Sequence, residues 1–170
     1  MRIGLLSDTH GFLLPPLLEF FADCDELWHA GDIGNVETLH ALQAFKPLRA
    51  VYGNIDGQEI RRECAEDAVF TVAGLRVCMT HIGGYPGHYS PHGRQLLSTH
   101  HPQVFVSGHS HILKAMPDRE HGLLHLNPGA AGYHGWQEFT TAMRFDIRDG
   151  KPDALEVYRI GRNQAAAWRN

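Results

Sequence analysis

The chain opens on an apolar run, Met1–Leu6, that stops at the polar stretch Ser7-Asp8-Thr9-His10-Gly11. A short apolar run cut off in this way reads as a buried strand followed by a loop. Residues 14–22 carry Leu17, Leu18, Phe20 and Phe21 behind Pro15 and Pro16. Proline is tolerated in a first helical turn, so this segment predicts a helix. Glu26–Ala30 is a second strand, ended by Gly31-Asp32. Val36, Leu39, Leu42 and Phe45 recur at helical spacing within Asn35–Phe45 and predict a helix with those positions in the core. Leu48–Tyr52 is a third strand, ended by Gly53-Asn54. Strands separated by helices imply right-handed crossovers and a parallel sheet.

The second half has a different rhythm. Val69–Val72 and Leu75–Thr80 flank Ala73-Gly74 as a hairpin, and the second arm ends at His81. A glycine- and proline-rich loop runs from Ile82 to His92, and Gly93–His101 follows as a helix. Val104–Ser107 is a strand ending at Gly108-His109-Ser110-His111. Further strand-like pieces lie near Ile112–Met116, Leu123–Leu126, Ala142–Ile147 and Leu155–Ile160, and the tail after Gly161 has little patterning. These are more strands than one sheet of this size holds, so the pattern predicts an α/β protein with two packed sheets and helices outside.

With 170 residues the chain suits a single domain, 1–170, with one core. Its 43% hydrophobic content is ordinary for a globular protein. The net charge of -4, with no basic run, offers no nucleic-acid surface. Three cysteines, Cys24, Cys64 and Cys78, form no CxxC pair, which fits a reducing compartment. The apolar run reaches Asp8 too soon for a signal peptide, and no stretch is long enough to span a bilayer. The expectation is a cytoplasmic protein that is not membrane-bound, with a homo-oligomer left open.

Five predicted strands end in polar clusters: Asp8-x-His10, Gly31-Asp32, Gly53-Asn54, His81 and Gly108-His109-x-His111. Ligand sites of open α/β sheets lie beyond the carboxyl ends of strands, so these clusters would meet on one rim. Asp, Asn and His without a thiolate suit hard or borderline divalent ions. Seven side chains exceed one tetrahedral site and suit two ions with a bridging carboxylate, for which Asp32, alone on the central loop, is the natural choice. Manganese is the first choice; nickel, iron, zinc, cobalt and magnesium are alternatives. Such a pair lowers the pKa of a bridging water to about 7, so that hydroxide can attack a phosphoryl group in line.

In order and approximate spacing, these motifs resemble the D-x-H, GD, GN, H, GHxH pattern of the calcineurin-like metallophosphoesterases. The short length and the later Asn127-Pro128-Gly129 resemble the small bacterial and archaeal phosphodiesterase branch. The resemblance implies a four-layer fold, two mixed β-sheets sandwiched between helices. It implies one metal on Asp8, His10, Asp32 and His111, and a second on Asp32, Asn54, His81 and His109. The implied substrate is a small phosphate ester, a phosphodiester or a phosphomonoester.

Many members carry GNH, whose histidine protonates the leaving group; here Gly53-Asn54-Ile55-Asp56 puts Ile55 in that place. General-acid help worth typically 10²–10⁴-fold is then missing, which favours aryl over alkyl leaving groups. Asp56 could take over part of that work beside Asp32 and Asn54, or simply hold a turn. Ile82 also follows His81 where relatives of this pattern commonly carry glycine. His88, His92 and His134 are candidate proton donors near the leaving group, or ordinary loop residues. The loop from Gly83 to Tyr89 could move and stack on an organic group. Asn127 would brace the metal loops through hydrogen bonds. His29 reads as a buried, hydrogen-bonded residue. His40, His100, His101, His121 and His125 read as structural or solvated, and Asp23, Asp25 and Glu26 as a solvated turn. The rival function is a metal-containing interaction scaffold, because a retromer subunit of this fold serves chiefly to bind partners.

Overall fold

A computed structural model describes residues 1–169; Asn170, the last residue of the expected domain, lies outside the described residues. The elements run β1 (Arg2–Leu6), α1 (Pro15–Phe20), β2 (Glu26–His29), α2 (Val36–Phe45), β3 (Leu48–Ala50), α3 (Gln58–Glu63), β4 (Asp67–Val72) and β5 (Leu75–Thr80). They continue with α4 (Pro91–His100), β6 (Val104–Val106), β7 (Leu113–Asp118), β8 (Leu123–Pro128), β9 (Phe139–Arg148), β10 (Lys151–Gly161) and α5 (Arg162–Ala166). A single 3₁₀ turn, Ala167–Arg169, closes the described chain.

The strands form two five-stranded mixed sheets, ordered β10-β9-β1-β2-β3 and β4-β5-β6-β8-β7. In the first, β1, β2 and β3 are parallel, joined by helical crossovers. β9 and β10 extend it antiparallel on the far edge. In the second, β5, β6 and β8 are parallel, and the hairpin partners β4 and β7 lie antiparallel at its edges.

Strand alternation builds the layers. Ile3 and Leu5 of β1 point between the sheets, where they join Trp28, Val77, Met79, Val106, Leu126 and Phe145 in the largest buried cluster. Leu6 belongs instead to the outer cluster that seats α1 and α2, with Leu14, Leu17, Phe21, Leu27 and Leu42. Gly4 shares that outer face, and a Cβ there would lie 2.5 Å from Leu27, so glycine lets α1 settle closely. On the far side, Leu96 and Leu97 of α4 cover Cys78 and Phe105. The result is four layers: helices, sheet, sheet, helix.

Capping explains where helices begin. Asn35 accepts from the Thr38 N–H at the start of α2, and Ser90 accepts from the Gly93 N–H at the start of α4. Pro15 and Pro91 occupy opening positions that need no donor. Two helices carry too weak a pattern to be foreseen. α3 buries only Ile60 and α5 only Ala165. The tail after Gly161 is therefore helical at first, held by Gln164 Oε1 accepting from the Gly161 N–H at 3.2 Å.

One expectation needs correction. Glu26 is buried in β2, where its carboxylate accepts from Trp28 Nε1 at 2.7 Å and Arg49 Nε at 2.6 Å. It is an internal tie rather than part of a solvated turn. Asp23 is exposed and pairs with Arg2 and Arg144. The three cysteines are free and buried, and burial pushes their thiols up, to about 11 for Cys24 and Cys64 and about 12 for Cys78.

Candidate metal centre

The strand-end loops converge at the carboxyl edge of both sheets. β1 delivers Asp8 and His10, the loop after β2 delivers Asp32, and the loop after β3 delivers Asn54. The second sheet delivers His81 after β5, and His109 and His111 after β6. Two groups form with donor atoms close enough to share an ion: Asp8, His10 and His111, and Asp32, His81 and His109.

In the first group His111 Nε2 lies 3.1 Å from Asp8 Oδ1 and 3.4 Å from His10 Nε2, and His10 Nε2 lies 4.0 Å from Asp8 Oδ1. Donor atoms about 2.1 Å from a common ion stand roughly 3.0–3.4 Å apart at octahedral or tetrahedral angles. In the second, His81 Nε2 is 3.3 Å from Asp32 Oδ1 and 3.1 Å from Asn54 Oδ1. The other Asp32 oxygen, Oδ2, faces the first group, 3.9 Å from His10 Nε2. One carboxylate thus stands between both groups.

The residues fit a cation on a direct test. Asp8 is fully buried, and its Oδ1 has no hydrogen bond although His111 Nε2 lies 3.1 Å away. An unpaired buried carboxylate oxygen is costly. A divalent ion between that oxygen and the imidazole would remove the cost.

Backbone geometry points the same way. Asp8, His10, Asp32, His109 and His111 all sit at positive φ, from 48° to 65°. For non-glycine residues such strain costs on the order of 1 kcal/mol or more each and gathers at functional sites. Gly53 and Gly108 leave room for it: a Cβ on Gly53 would lie 2.0 Å from Asp32 Oδ1, and one on Gly108 2.1 Å from Ser7 Oγ.

Outer contacts orient the donors. His81 Nδ1–H donates to the Ala30 carbonyl at 2.8 Å, leaving Nε2 as the donor atom toward Asp32. His111 Nδ1–H donates to Gln137 Oε1 at 3.1 Å, with the same effect. Asp8 Oδ2 accepts from the His109 N–H at 3.2 Å, and Asp32 Oδ1 from the Ile55 N–H at 3.0 Å. Asn127 Nδ2 donates to the Gly108 carbonyl and to Ser110 Oγ, bracing the loop that carries His109 and His111. His29, fully buried, takes the Gly31 N–H on Nδ1 and donates from Nε2 to Thr9 Oγ1; burial lowers its pKa to about 4 and keeps it neutral.

Charge is unevenly shared across the centre. Burial works against the charged forms of Asp32 and His81, yet their mutual contact prevails, lowering Asp32 and raising His81. The nearby Asp8 carboxylate raises His111, whereas burial lowers His10.

Of the two roles expected for Asp56, its contacts match the one of holding a turn. It is buried, and its carboxylate accepts from the backbone N–H groups of Ile33, Gly34 and Gly53 at 3.1, 2.8 and 2.8 Å. A carboxylate tied to three backbone donors clasps the loops carrying Asp32 and Asn54. Ile55 beside it is 47% exposed. His88 and His134 are exposed, the first with its ring 5.0 Å from Tyr85 and the second 5.7 Å from His10. His92 faces Asp67, with Nε2 2.9 Å from both oxygens. Gln137 had no motif to announce it; only its contact with His111 reveals it.

A four-layer α/β domain with a histidine–carboxylate centre at its strand ends defines a class of metal-dependent phosphoesterases. Residues 1–150 match the model of the calcineurin-like phosphoesterase superfamily domain, and the chain belongs to that superfamily. A probable metallophosphoesterase of Methanothermobacter thermautotrophicus is 28% identical over 137 residues, spanning 76% of this chain and 77% of the relative. The fold is shared with a mutant Vps29 of Entamoeba histolytica (TM-score 0.75, 16% identity, 95% of this chain and 99% of that one). It is also shared with an archaeal phosphodiesterase (TM-score 0.74, 21% identity, 94% of this chain and 100% of that one).

Proposed function

We propose that the protein is a phosphodiesterase that works with two divalent cations, manganese first among them. The observation that carries this reading is the Asp32 carboxylate, with one oxygen toward His81 and the other toward His10. Cations held on either side of it would lower the pKa of a shared water and neutralise charge on the phosphoryl oxygens. Asp8, His10, Asp32 and His111 would hold one ion, and Asp32, Asn54, His81 and His109 the other. The chain's own contribution is geometry: Ala30 and Gln137 fix the ring orientations, and Asp56 and Asn127 hold the loops in place.

Ile55 occupies the position of the usual proton-donating histidine and offers no proton. Esters whose leaving groups depart unprotonated are therefore favoured, bis(p-nitrophenyl) phosphate above alkyl esters. The test is p-nitrophenol release by metal-stripped protein before and after Mn²⁺. We expect activity only with metal, and a loss of at least a hundredfold in Asp32→Ala and Asn54→Ala, in keeping with metal-site catalysis. Equal cleavage of alkyl monoesters and aryl diesters would contradict the leaving-group assignment.

A second reading is an interaction scaffold. Ile55, Ile82, Ile112 and Trp136 are exposed and each follows or precedes a residue of the centre or its support, giving the site an apolar rim. Metal-dependent turnover lost in both variants would favour the enzyme; metal binding without turnover would favour the scaffold.

A further inference from the structure

Two cavities open beside the centre, and they share Ile82 and Ser90. The larger, about 440 Å³, includes Asn54 and His81 in its wall. The smaller, about 180 Å³, includes His109. Ile82, immediately after His81, and Ser90 line both, and Ile82 is the apolar part of the ridge between them. A phosphorus atom held at the centre would have one cavity on each side of the ridge. A phosphomonoester has a single organic substituent and would fill only one; a phosphodiester has two.

The cavities differ in chemistry. The larger is walled by Tyr52, Ile82 and Pro91. Its wall also carries one cation and one carboxylate, which offset each other: the Arg61 guanidinium lies 4.4 Å from the Tyr52 ring centroid and donates to the Asp56 and Gly53 carbonyls, and Glu66 bonds to the Tyr52 hydroxyl. Such a pocket suits a flat, uncharged group that can lie against an aromatic face. The smaller contains no carboxylate. It contains Lys114, whose Nζ lies 3.4 Å from the Tyr85 ring centroid and which makes no ion pair among the described residues. A half-buried cation without a counter-ion, in a cavity free of negative charge, attracts an anion.

Resting on the phosphodiesterase reading above, we propose that the substrate is an unsymmetrical phosphodiester, with a planar uncharged arm in the larger cavity and an anion-bearing arm against Lys114 in the smaller. Ile82 separates the two arms and sets their divergence at phosphorus.

Binding and turnover are measured separately. The binding probes are p-nitrobenzylphosphonates esterified with a carboxymethyl or a carbamoylmethyl group, which are matched in shape and differ by one charge; the P–C bond does not hydrolyse, and the alkyl ester arm is a poor leaving group without a proton donor, its integrity being checked after each titration. Calorimetry on Mn²⁺-loaded protein should show the carboxymethyl probe binding about tenfold more tightly, the size expected of one partly screened charge pair. Lys114→Gln should remove that preference. Replacing p-nitrobenzyl by methyl should weaken binding about tenfold, as expected for loss of a buried aromatic group. Equal affinity for the two charged states, or a preference that survives Lys114→Gln, overturns the proposal. Bis(p-nitrophenyl) phosphate turnover on the same samples separates the two readings. Turnover without charge preference sinks the two-arm site alone; charge preference without turnover sinks the hydrolase and leaves the two-arm ligand standing.

Discussion

At Asp56 a single carboxylate accepts three backbone N–H bonds from loops that are far apart in sequence. Asparagine keeps the shape but turns one acceptor into an NH₂ group facing an N–H. Leaving such a buried donor unpaired costs about 2 kcal/mol, more when the lost acceptor was charged. Asp56→Asn should therefore lower the unfolding free energy by about 2 kcal/mol while leaving the shape of the pH–rate profile unchanged. Denaturant unfolding and a pH series of turnover check both parts. Disappearance of one limb of the profile, with stability intact, would return Asp56 to the proton-transfer role its sequence position suggested. The sequence left both roles open, because it shows an acidic residue beside a ligand but not what its oxygens already hold. Gln137 is the converse: a loop glutamine announces nothing, and it matters only because the fold brings it 3.1 Å from His111.

Among the secondary-structure elements, the strands were legible because most are buried on both faces or alternate cleanly, and their polar ends are abrupt. The strand-end clusters of both sheets were foreseen for the same reason. α3 and α5 were not, since helices of six and five residues with one buried side chain each leave no periodic stripe to read. Burial within a strand also sets an acid response that no pattern shows. His125 of β8 is fully buried, donates from Nε2 to Ser107 Oγ and leaves Nδ1 without a partner. Burial lowers its pKa from 6.5 to about 4. Below pH 6.5 the unfolded chain therefore binds a proton that the folded chain refuses. Stability is lost as pH falls from 6.5 toward 4, and this loss stops once both states are protonated. The loss from this residue reaches about 2 kcal/mol at pH 5 relative to pH 7. His29 titrates in the same window, so the comparison is between wild type and His125→Phe. The variant's curve of unfolding free energy against pH should be shallower by that amount between pH 5 and 7; parallel curves would show that His125 is not the source.

Across the whole molecule, each candidate ligand group draws on both sheets. Asp8 and His10 leave the first sheet to meet His111 from the second; Asp32 leaves the first to meet His81 and His109 from the second. Buried side chains pack the two sheets together, and at this edge five strained backbones and an unpaired buried carboxylate oxygen stand together. A cation bound there binds the folded state and has no comparable site in the unfolded chain, so it must add stability by mass action, about 2.7 kcal/mol at a hundredfold excess over Kd. For a chain of this size that corresponds to a rise in Tm of roughly 5–10 °C. Differential scanning calorimetry should therefore show Tm falling by that amount when EDTA removes the metal and recovering when Mn²⁺ is restored. Asp32→Ala should remove most of the difference, because its carboxylate faces both candidate ligand groups. If EDTA leaves Tm unchanged in protein shown by elemental analysis to have carried metal, the ions sit elsewhere and the edge is held by protein contacts alone.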